Sequence, residues 1–259
     1  MIRLGVAGAG GRMGTAILSW AVQDRAFSIG GLLERKGHPL VGHELHGVTV
    51  TDAADGMSAS CDVLIDFTSL ESTMRNAGAM AAAGKALVIG TTGVQGKDRD
   101  QLAKIVKDVP VVFSPNMSLG ANILFDVAER LAGLLPGFDT EIVEFHHNRK
   151  KDSPSGTAQR LADGIARSRG APTEFTYGRE GLVGERRPSE IGVHAVRGGD
   201  VIGDHTVYFL GTGERIELSH RVGTRDAFAL GALTAARWVV RQKPGLYDMR
   251  DVLGLASKK

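Results

Sequence analysis

The sequence is poor in features that would place it in several common protein classes. A single cysteine, Cys61, excludes an internal disulfide and matches no metal-binding spacing. The 31 Lys and Arg residues nearly balance the 29 Asp and Glu residues, and the formal charge of +2 argues against nucleic acid or membrane partners. No apolar run approaches the roughly 20 residues of a membrane-spanning helix. Residues 1–6 enter an apolar strand at once, so we expect no signal peptide and a cytoplasmic location.

Glycine, by contrast, is abundant, with 35 residues that separate short apolar segments. In the first half of the chain, strand and helix patterns alternate, which predicts right-handed crossovers and a parallel sheet. The predicted strands are Ile2–Ala7, Phe27–Leu33, Val63–Phe67, Ala86–Ile89 and Val111–Phe113. The predicted helices are Arg12–Gln23, Glu71–Ala83 and Lys97–Lys107.

The pattern changes near Pro115, and the remainder indicates a second domain of α+β type. Helices are predicted at about Leu119–Leu134, Ser155–Arg169 and Ala227–Arg241. Strands are predicted at Thr140–Phe145, Gly192–Arg197, Thr206–Leu210 and Arg215–His220. Because the last three of these strands are closely spaced, we expect them to pair antiparallel.

A glycine-rich turn joins the first predicted strand to the first predicted helix. Its residues are Gly8, Ala9, Gly10, Gly11, Arg12, Met13 and Gly14. The strict dinucleotide fingerprint fails, because Met13 holds its sixth position. Glycines at 8, 11 and 14 still permit a tight turn and close approach to a pyrophosphate at the helix N-terminus, with Arg12 as a nearby cation. A purely structural turn is the alternative.

Two charged residues at the end of the second predicted strand favour the dinucleotide interpretation. Glu34 lies 20 residues after Gly14 (34 − 14), where a carboxylate can accept the adenosine ribose hydroxyls. Arg35 follows and can hold a 2′-phosphate. The pair predicts a site for NADH or NADPH, and the alternative is a solvent-exposed charge pair.

Two later loops follow strands at the same predicted edge of the sheet, where ligands bind. Their residues are Gly90, Thr91 and Thr92 in one loop and Ser114, Pro115, Asn116 and Met117 in the other. Hydroxyls and free backbone groups there can bind a nicotinamide carboxamide. On its own, each loop is more typical of an ordinary turn.

The densest chemistry lies between residues 144 and 157. His146, His147 and three cationic residues lie within a span of six residues. A helix then begins with Ser155, Gly156 and Thr157, in an arrangement that can bind an anion. This combination predicts a small anionic substrate, with a histidine or a lysine beside other cations as proton donor. A solvated basic loop is the alternative. Adjacent residues on a strand face opposite ways and no third ligand is evident, so we expect no metal site.

These motifs resemble the dihydrodipicolinate reductase family over nearly the whole chain. The similar segments are 8–14, Asp66-Phe67-Thr68, 90–93, Pro115-Asn116, 144–157, Gly203-Asp204-His205-Thr206 and 245–249. The resemblance implies an α/β fold: a Rossmann-like doubly wound parallel sheet with a second α+β domain for substrate binding and oligomerisation. It implies a dinucleotide-binding domain over residues 1–117, completed by 225–259, and a substrate-binding and tetramerisation domain over 118–224.

The resemblance also implies individual roles. In the cofactor site, Gly8, Ala9, Gly10, Gly11, Arg12 and Met13 would bind the pyrophosphate, Glu34 the ribose, Arg35 the 2′-phosphate, and Gly90, Thr91, Thr92, Ser114, Pro115, Asn116 and Met117 the nicotinamide. In the substrate site, His146 would be the proton donor or acceptor, Lys150 the second proton donor, and His147, Ser155, Gly156 and Thr157 the carboxylate ligands. Many members of the family carry an aromatic residue in place of Met117, which leaves the NADH or NADPH preference open.

The activity implied is reduction, by NADH or NADPH, of the dehydrated cyclic imine dicarboxylate derived from 4-hydroxy-tetrahydrodipicolinate, in lysine and diaminopimelate biosynthesis. The expected partners are this small cyclic dicarboxylate and further copies of the chain in a homotetramer. An amino-acid dehydrogenase of similar layout is one alternative, and residues 144–157 argue against it. A non-catalytic dinucleotide sensor is the other, and it would need no paired proton donors.

Overall fold

A computed structural model describes residues 1–170 and 172–255. Residue 171 and residues 256–259, which fall within the two predicted domains, lie outside the described residues. Backbone contacts divide the chain into two units. Unit 1 comprises Met1–Leu119 and the return segment from Arg225, and unit 2 comprises Gly120–Thr224. Within the described ranges, no helix has the length and hydropathy to cross a membrane.

The helices and strands follow one another as the sequence pattern indicates, with some short additions. The strands are β1 (Ile2–Ala7), β2 (Phe27–Leu33), β3 (Glu44–Leu45), β4 (Val48–Thr51), β5 (Val63–Asp66), β6 (Ala86–Ile89), β7 (Pro110–Phe113), β8 (Asp139–His146), β9 (Glu174–Thr176), β10 (Glu190–Arg197), β11 (Gly203–Gly211), β12 (Glu214–Val222) and β13 (Gly245–Tyr247). The helices are α1 (Arg12–Ala21), α2 (Ala54–Ser58), α3 (Leu70–Ala82), α4 (Lys97–Ile105), α5 (Leu119–Leu134), α6 (Gly156–Arg169), α7 (Asp226–Val239) and α8 (Met249–Val252).

Unit 1 is built on a sheet with the strand order β13-β7-β6-β5-β1-β2-β4-β3. Its pairs are parallel except β3 with β4, which is antiparallel. The strand order reverses at β1, which pairs with β2 on one side and with β5 on the other. Ligands bind at such a switch point, beyond the carboxyl ends of the strands. The predicted doubly wound sheet therefore places the glycine turn after β1 at a binding position.

Helices cover both faces of this sheet because its central strands are apolar on both sides. On one face, Val6 of β1 packs in a cluster with residues of α1 and α7. On the other, Leu64 of β5 packs with residues of α3 and α4. Cys61 is fully buried in the second cluster, as its position before an apolar strand predicted.

Unit 2 consists of a sheet with the order β12-β11-β8-β10-β9 and a core that includes residues of α5 and α6. The expectation of antiparallel pairing was wrong for part of this sheet. β11 is antiparallel to both β8 and β12, but β10 is parallel to β8 and to β9. The physical reason is the connection: α6 lies between β8 and β10 in the chain, and a helical crossover returns a strand in the parallel direction.

Candidate active site

The glycine turn of unit 1 permits a backbone approach that a side chain would prevent. Gly8 has a φ of +72°, in the left-handed region that favours glycine. A Cβ on Gly14 would lie 2.1 Å from the carbonyl oxygen of Gly8 and 2.8 Å from the Cα of Ala9. Glycine at position 14 thus lets α1 pack directly on the turn, which is the role of the last glycine in a dinucleotide-binding turn.

Glu34 is held against this turn. Its Oε1 accepts the N–H of Gly10 at 2.8 Å, and its Oε2 accepts the N–H of Arg35 at 3.2 Å. A Cβ on Gly10 would come within 2.6 Å of the Leu40 side chain and 2.9 Å of the His38 ring. The carboxylate that was predicted to bind ribose therefore lies beside the residues that were predicted to bind pyrophosphate.

Two clefts open at this edge of the sheet, with volumes of about 400 Å³ and 240 Å³. Gly8, Glu34, Arg35 and Thr68 line both. The larger cleft is also lined by Gly10, Gly11, Arg12, Met13, Gly14, His38 and Phe67. The smaller is also lined by Ala7, Leu33, Ser69, Ser72, Arg75 and Asn76. Together the two clefts present glycine backbone, carboxylate and guanidinium groups, a set that fits the adenosine and pyrophosphate of a dinucleotide.

A buried polar side chain that lines the smaller cleft also fits such a ligand. Asn76 is 1% exposed and donates its Nδ2 to Asp66 at 2.8 Å. Its Oδ1 has no hydrogen-bond donor among the described residues. An unpaired buried acceptor costs free energy, and a ligand that brings an N–H or O–H group would satisfy it. The residues present therefore fit a nucleotide.

The two later loops are fixed at their strand ends. A Cβ on Gly90 would lie 2.3 Å from the Phe67 ring, and the Thr91 hydroxyl shares a 2.8 Å hydrogen bond with that of Thr73. The Ser114 hydroxyl donates to the carbonyl oxygen of Asn116 at 2.8 Å. The Met117 side chain is fully buried in the core of unit 1, so its thioether lies away from any open surface.

In unit 2, β8 carries the predicted proton donor on the face of the sheet that packs against the helices. Residues alternate along the strand, so Ile142, Glu144 and His146 are buried while Phe145 is 43% exposed. His147 follows the end of β8, and its Nδ1 is buried with no partner among the described residues. The two histidines thus face different surroundings, as the strand pattern predicted.

Glu144 is fully buried and lies at the centre of a polar cluster. Its Oε2 lies 2.5 Å from Nδ1 of His146, and its Oε1 accepts the N–H of Ser155 at 3.0 Å. Arg197 donates to both oxygens, at 2.7 and 2.8 Å. Burial alone would raise the pKa of Glu144, but the hydrogen bonds from His146, Arg197 and Ser155 outweigh it and lower the pKa to about 2. Glu144 is therefore ionised at neutral pH.

His205 completes this cluster from β11. Its Nε2 lies 3.0 Å from the hydroxyl of Ser155, which caps α6 by accepting the N–H of Ala158 at 3.1 Å. Burial, and then the charge of His146, lower the pKa of His205 to about 3. His205 is therefore neutral at physiological pH, beside the start of the helix predicted to bind a carboxylate.

Lys150 lies just beyond this cluster. Its Nζ donates to both carboxylate oxygens of Asp152 at 2.8 Å, and this contact lowers the pKa of Asp152. The basic loop had predicted cationic neighbours for Lys150, whereas the structure pairs it with an anion. Arg197 donates to the carbonyl oxygen of Asp152 at 2.9 Å, which ties the loop to the Glu144 cluster.

Comparison with protein-family models shows the family of this chain. A model for the N-terminal part of dihydrodipicolinate reductase matches residues 2–117, and one for the C-terminal part matches residues 120–253. The chain belongs to the dihydrodipicolinate reductase family. The predicted family and the predicted class, an NAD(P)H-dependent oxidoreductase, are therefore confirmed.

Relatives of this reductase family match the chain over its whole length. The 4-hydroxy-tetrahydrodipicolinate reductase of Geotalea daltonii is 48% identical, and the alignment covers 98% of this chain and all of that protein. The enzyme of the same name from Geobacter sulfurreducens is 46% identical with the same coverage. A dipicolinate-bound dihydrodipicolinate reductase from Paenisporosarcina sp. TG-14 superposes with a TM-score of 0.81 at 24% identity, covering 96% of this chain and 97% of that one. This superposition confirms the predicted Rossmann-like fold.

In this reductase, the structure brings together part of the residues that were predicted for the cofactor and for the substrate, and the nicotinamide candidates at 90–92 and 114–117 line neither of the two clefts. The pyrophosphate, ribose and 2′-phosphate candidates line the clefts of unit 1, except Ala9, which is buried in the core. His146 and Ser155 meet through Glu144 in unit 2. The individual roles stay predictions.

Sequence reasoning missed several residues that the structure adds to these sites. They are His38, Ser69, Ser72, Arg75 and Asn76 in unit 1 and Glu144, Arg197 and His205 in unit 2. Two signals were available: Glu144 and His146 are two residues apart on a strand, which places both on one face, and His205 lies in the segment 203–206 that resembles the family. Arg197 and His205 come from strands 50 or more residues away, and their sequence positions alone do not predict the contacts.

Proposed function

We propose that the chain catalyses the reaction for which its relatives are named, the NAD(P)H-dependent reduction of 4-hydroxy-tetrahydrodipicolinate after loss of water, in lysine and diaminopimelate biosynthesis. The observation that carries this proposal is the buried Glu144–His146 pair, 2.5 Å apart, linked to a capped helix start at Ser155. A proton donor beside an anion-binding helix start fits an imine dicarboxylate. We propose a cytoplasmic location, where such biosynthetic cofactors are regenerated.

Unit 1 supplies the reductant in this proposal. The bound nicotinamide dinucleotide supplies a hydride. Gly8 and Gly14 shape the turn for the pyrophosphate, Glu34 exchanges its contact with Gly10 for the ribose hydroxyls, and Arg35 binds a 2′-phosphate when NADPH is used. The loops at 90–92 and 114–117 would hold the nicotinamide through backbone groups and hydroxyls, because the Met117 side chain is buried.

Unit 2 supplies the proton and holds the substrate. Hydride addition to a C=C–C=N system leaves negative charge on the ring, which a nearby cation stabilises and a proton neutralises. His146 and Lys150 are the proposed proton donors. His147, Ser155, Gly156 and Thr157 are the proposed carboxylate ligands, with the N–H groups at the start of α6 facing the anion.

The open face of the unit 2 sheet supports the proposed homotetramer. Phe145 and Val196 are neighbours in register on this face and are 43% and 39% exposed. Adjacent exposed apolar side chains on a sheet are typical of a surface that another copy covers. Multi-angle light scattering checks this: a mass of four chains is expected for the wild type, and a lower mass for Phe145→Ser with Val196→Ser. A monomeric wild type would contradict the tetramer.

The activity is tested by following oxidation of NADH and NADPH with freshly generated 4-hydroxy-tetrahydrodipicolinate. Turnover is expected with at least one cofactor. A panel of 2-amino and 2-hydroxy acids with the oxidised cofactors tests the alternative of an amino-acid dehydrogenase. Turnover in the panel together with none of the imine would reject the proposal, and cofactor binding without any turnover would favour a sensor.

A further inference from the structure

The buried carboxylate of Glu144 contacts both His146, the proposed proton donor, and Ser155, a proposed carboxylate ligand. We propose that Glu144 is a positioning residue that orients His146 as proton donor and, through its other oxygen, fixes the substrate-anchoring turn at Ser155. This inference rests on the roles of His146 and Ser155 proposed above. Glu144 would thereby couple proton transfer to carboxylate binding, although it neither transfers the proton nor contacts the substrate.

The contact with Glu144 Oε2 determines which ring nitrogen of His146 carries a proton. An ionised carboxylate only accepts hydrogen bonds, so the Nδ1 atom that lies 2.5 Å from Glu144 Oε2 must carry a proton. This leaves Nε2 as the nitrogen that first takes up a proton and then passes it to the substrate, while Nδ1 keeps its proton in the hydrogen bond to Glu144. Nε2 lies on the side of Gly203, where a Cβ would come within 3.1 Å of it. Glycine at position 203 therefore keeps side-chain bulk away from that nitrogen.

The second contact fixes the start of α6. Glu144 Oε1 accepts the N–H of Ser155 at 3.0 Å, and Ser155 is the residue that caps α6 with its hydroxyl. The same hydroxyl lies 3.0 Å from Nε2 of His205, whose ring lies edge-to-face with His146. His146 and Ser155 are thus joined by two routes, one through Glu144 and one through His205.

Arg197 holds the carboxylate in the plane that serves both partners. It donates to each oxygen of Glu144 and to the carbonyl oxygen of Asp152. A bidentate guanidinium fixes the orientation of a carboxylate as well as compensating its charge. Because Glu144 is fully buried, removal of Arg197 would leave its charge without a bidentate cation.

The chain offers a matched control three residues earlier on β8. Glu141 accepts from Arg179 at 2.9 and 3.1 Å, from Arg186 at 3.0 Å, and lies 2.7 Å from Nε2 of His194. Burial would raise its pKa, but bonds from Arg179, His194 and Arg186 lower it to about 2. Glu141 is thus a second arginine-bound and histidine-bound carboxylate, on the face of the sheet opposite to Glu144, and it binds Arg179, Arg186 and His194 rather than His146 and Ser155.

The test compares Glu144→Gln with Glu141→Gln. Glutamine keeps the size of glutamate but has one acceptor oxygen, so it cannot accept from both His146 and Ser155. The first readout is the ¹⁵N spectrum of the histidine side chains, with His146 assigned by the loss of its signals in His146→Asn. We expect the Nδ1–H tautomer of His146 in the wild type and in Glu141→Gln, and its loss in Glu144→Gln.

The second readout is function. In Glu144→Gln we expect kcat to fall by about 10²-fold or more, as for a misplaced general acid. We also expect weaker binding of dipicolinate, used as a probe of the carboxylate site. Glu141→Gln should also lower the melting temperature, because it too removes a carboxylate bound by arginine. It should change neither kcat nor dipicolinate binding.

Each outcome separates the coupling from the function on which it rests. Unchanged tautomer, kcat and dipicolinate affinity in Glu144→Gln would overturn the inference, as would equal kinetic losses in both variants. Loss of the tautomer and of dipicolinate affinity at unchanged kcat supports positioning by Glu144 and overturns the role of His146 as proton donor. Failure of the wild type to turn over the imine would overturn the proposed function, while the tautomer readout would still decide the contact.

Discussion

The rings of His146 and His205 meet edge-to-face, with centroids 5.2 Å apart and an angle of 76° between their planes. His205 is 4% exposed, and its Nε2 bonds to the Ser155 hydroxyl. Two histidines at this distance do not readily carry charge together. Burial and the neighbouring His146 accordingly lower the pKa of His205 to about 3, so His205 stays neutral at physiological pH.

This neutral histidine makes the protein sensitive to acid. His205 has a pKa of 6.5 as its reference value and about 3 in the fold, so below pH 6.5 the unfolded chain binds a proton that the native state does not. The free energy of unfolding is therefore expected to fall by about 1.4 kcal/mol per pH unit from this residue as the pH drops from 6.5 towards 3. Urea denaturation at several pH values measures the slope.

The control for this slope is His205→Gln, which keeps an amide near Ser155 and does not titrate. Its stability is expected to decline less steeply between pH 6.5 and 4.5. Burial also lowers the pKa of His220, which adds to the slope in both proteins. Identical slopes for the wild type and His205→Gln would show that His205 does not carry the effect.

Lys150 can be tested as a proton donor separately from its charge. Lys150→Ala is expected to lower kcat by about 10²–10⁴-fold, the usual contribution of a general acid. Lys150→Arg keeps a cation that can pair with Asp152, but a guanidinium does not release its proton in proteins. Steady-state kinetics should show both variants impaired in kcat. Recovery of wild-type kcat by arginine would show that Lys150 acts through its charge alone.

Arg35 is expected to determine how well NADPH binds. Arg35→Ala removes a charge-assisted contact worth about 1.5–3 kcal/mol, so the Kd for NADPH should rise about 10- to 100-fold. NADH, which has no 2′-phosphate, serves as the matched comparison and should lose little affinity. Fluorescence titration with both cofactors measures the two values. Equal losses for NADH and NADPH would contradict a contact with the 2′-phosphate.

Gly14 and Gly78 provide a paired test of the glycine turn. A Cβ at position 14 would lie 2.1 Å from a backbone carbonyl oxygen, so Gly14→Ala must displace α1 from the turn and is expected to cost about 2 kcal/mol or more. Gly78 is inside α3 with open space around its Cα, so Gly78→Ala is expected to stabilise the fold by about 0.5–1 kcal/mol. Chemical denaturation and NADH binding measure both. A Gly14→Ala variant as stable as the wild type would refute the close approach.

The sequence predicted much of unit 1 because local signals there agree with the fold. Strands β1, β2 and β6 have the predicted bounds, since each is an apolar run closed by a turn. The additional strands β3, β4, β9 and β13 are two to four residues long. Segments of that length carry no measurable periodicity and form only by pairing with an existing sheet.

The unit 2 site was predicted in its residue types but not in its organisation. His146 and Ser155 stand out because a histidine in a basic loop and a helix cap are local patterns. In the sequence, Glu144 is not distinguished from other polar residues of a strand. Its central place in the cluster depends on Arg197, which is 53 residues away. Such contacts follow from strand register, and the register of β10 beside β8 required the parallel pairing that spacing did not predict.

Transfer of deuterium from reduced cofactor to product tests the reductase activity most directly. The enzyme is incubated with freshly generated 4-hydroxy-tetrahydrodipicolinate and with NADH or NADPH deuterated at nicotinamide C4, and the product is analysed by mass spectrometry. We expect oxidised cofactor and tetrahydrodipicolinate in equal amounts, with deuterium on the product ring from one of the two C4 positions. Absence of cofactor oxidation with both reductants, or a product ring without deuterium from either C4 position, would contradict the proposed reaction.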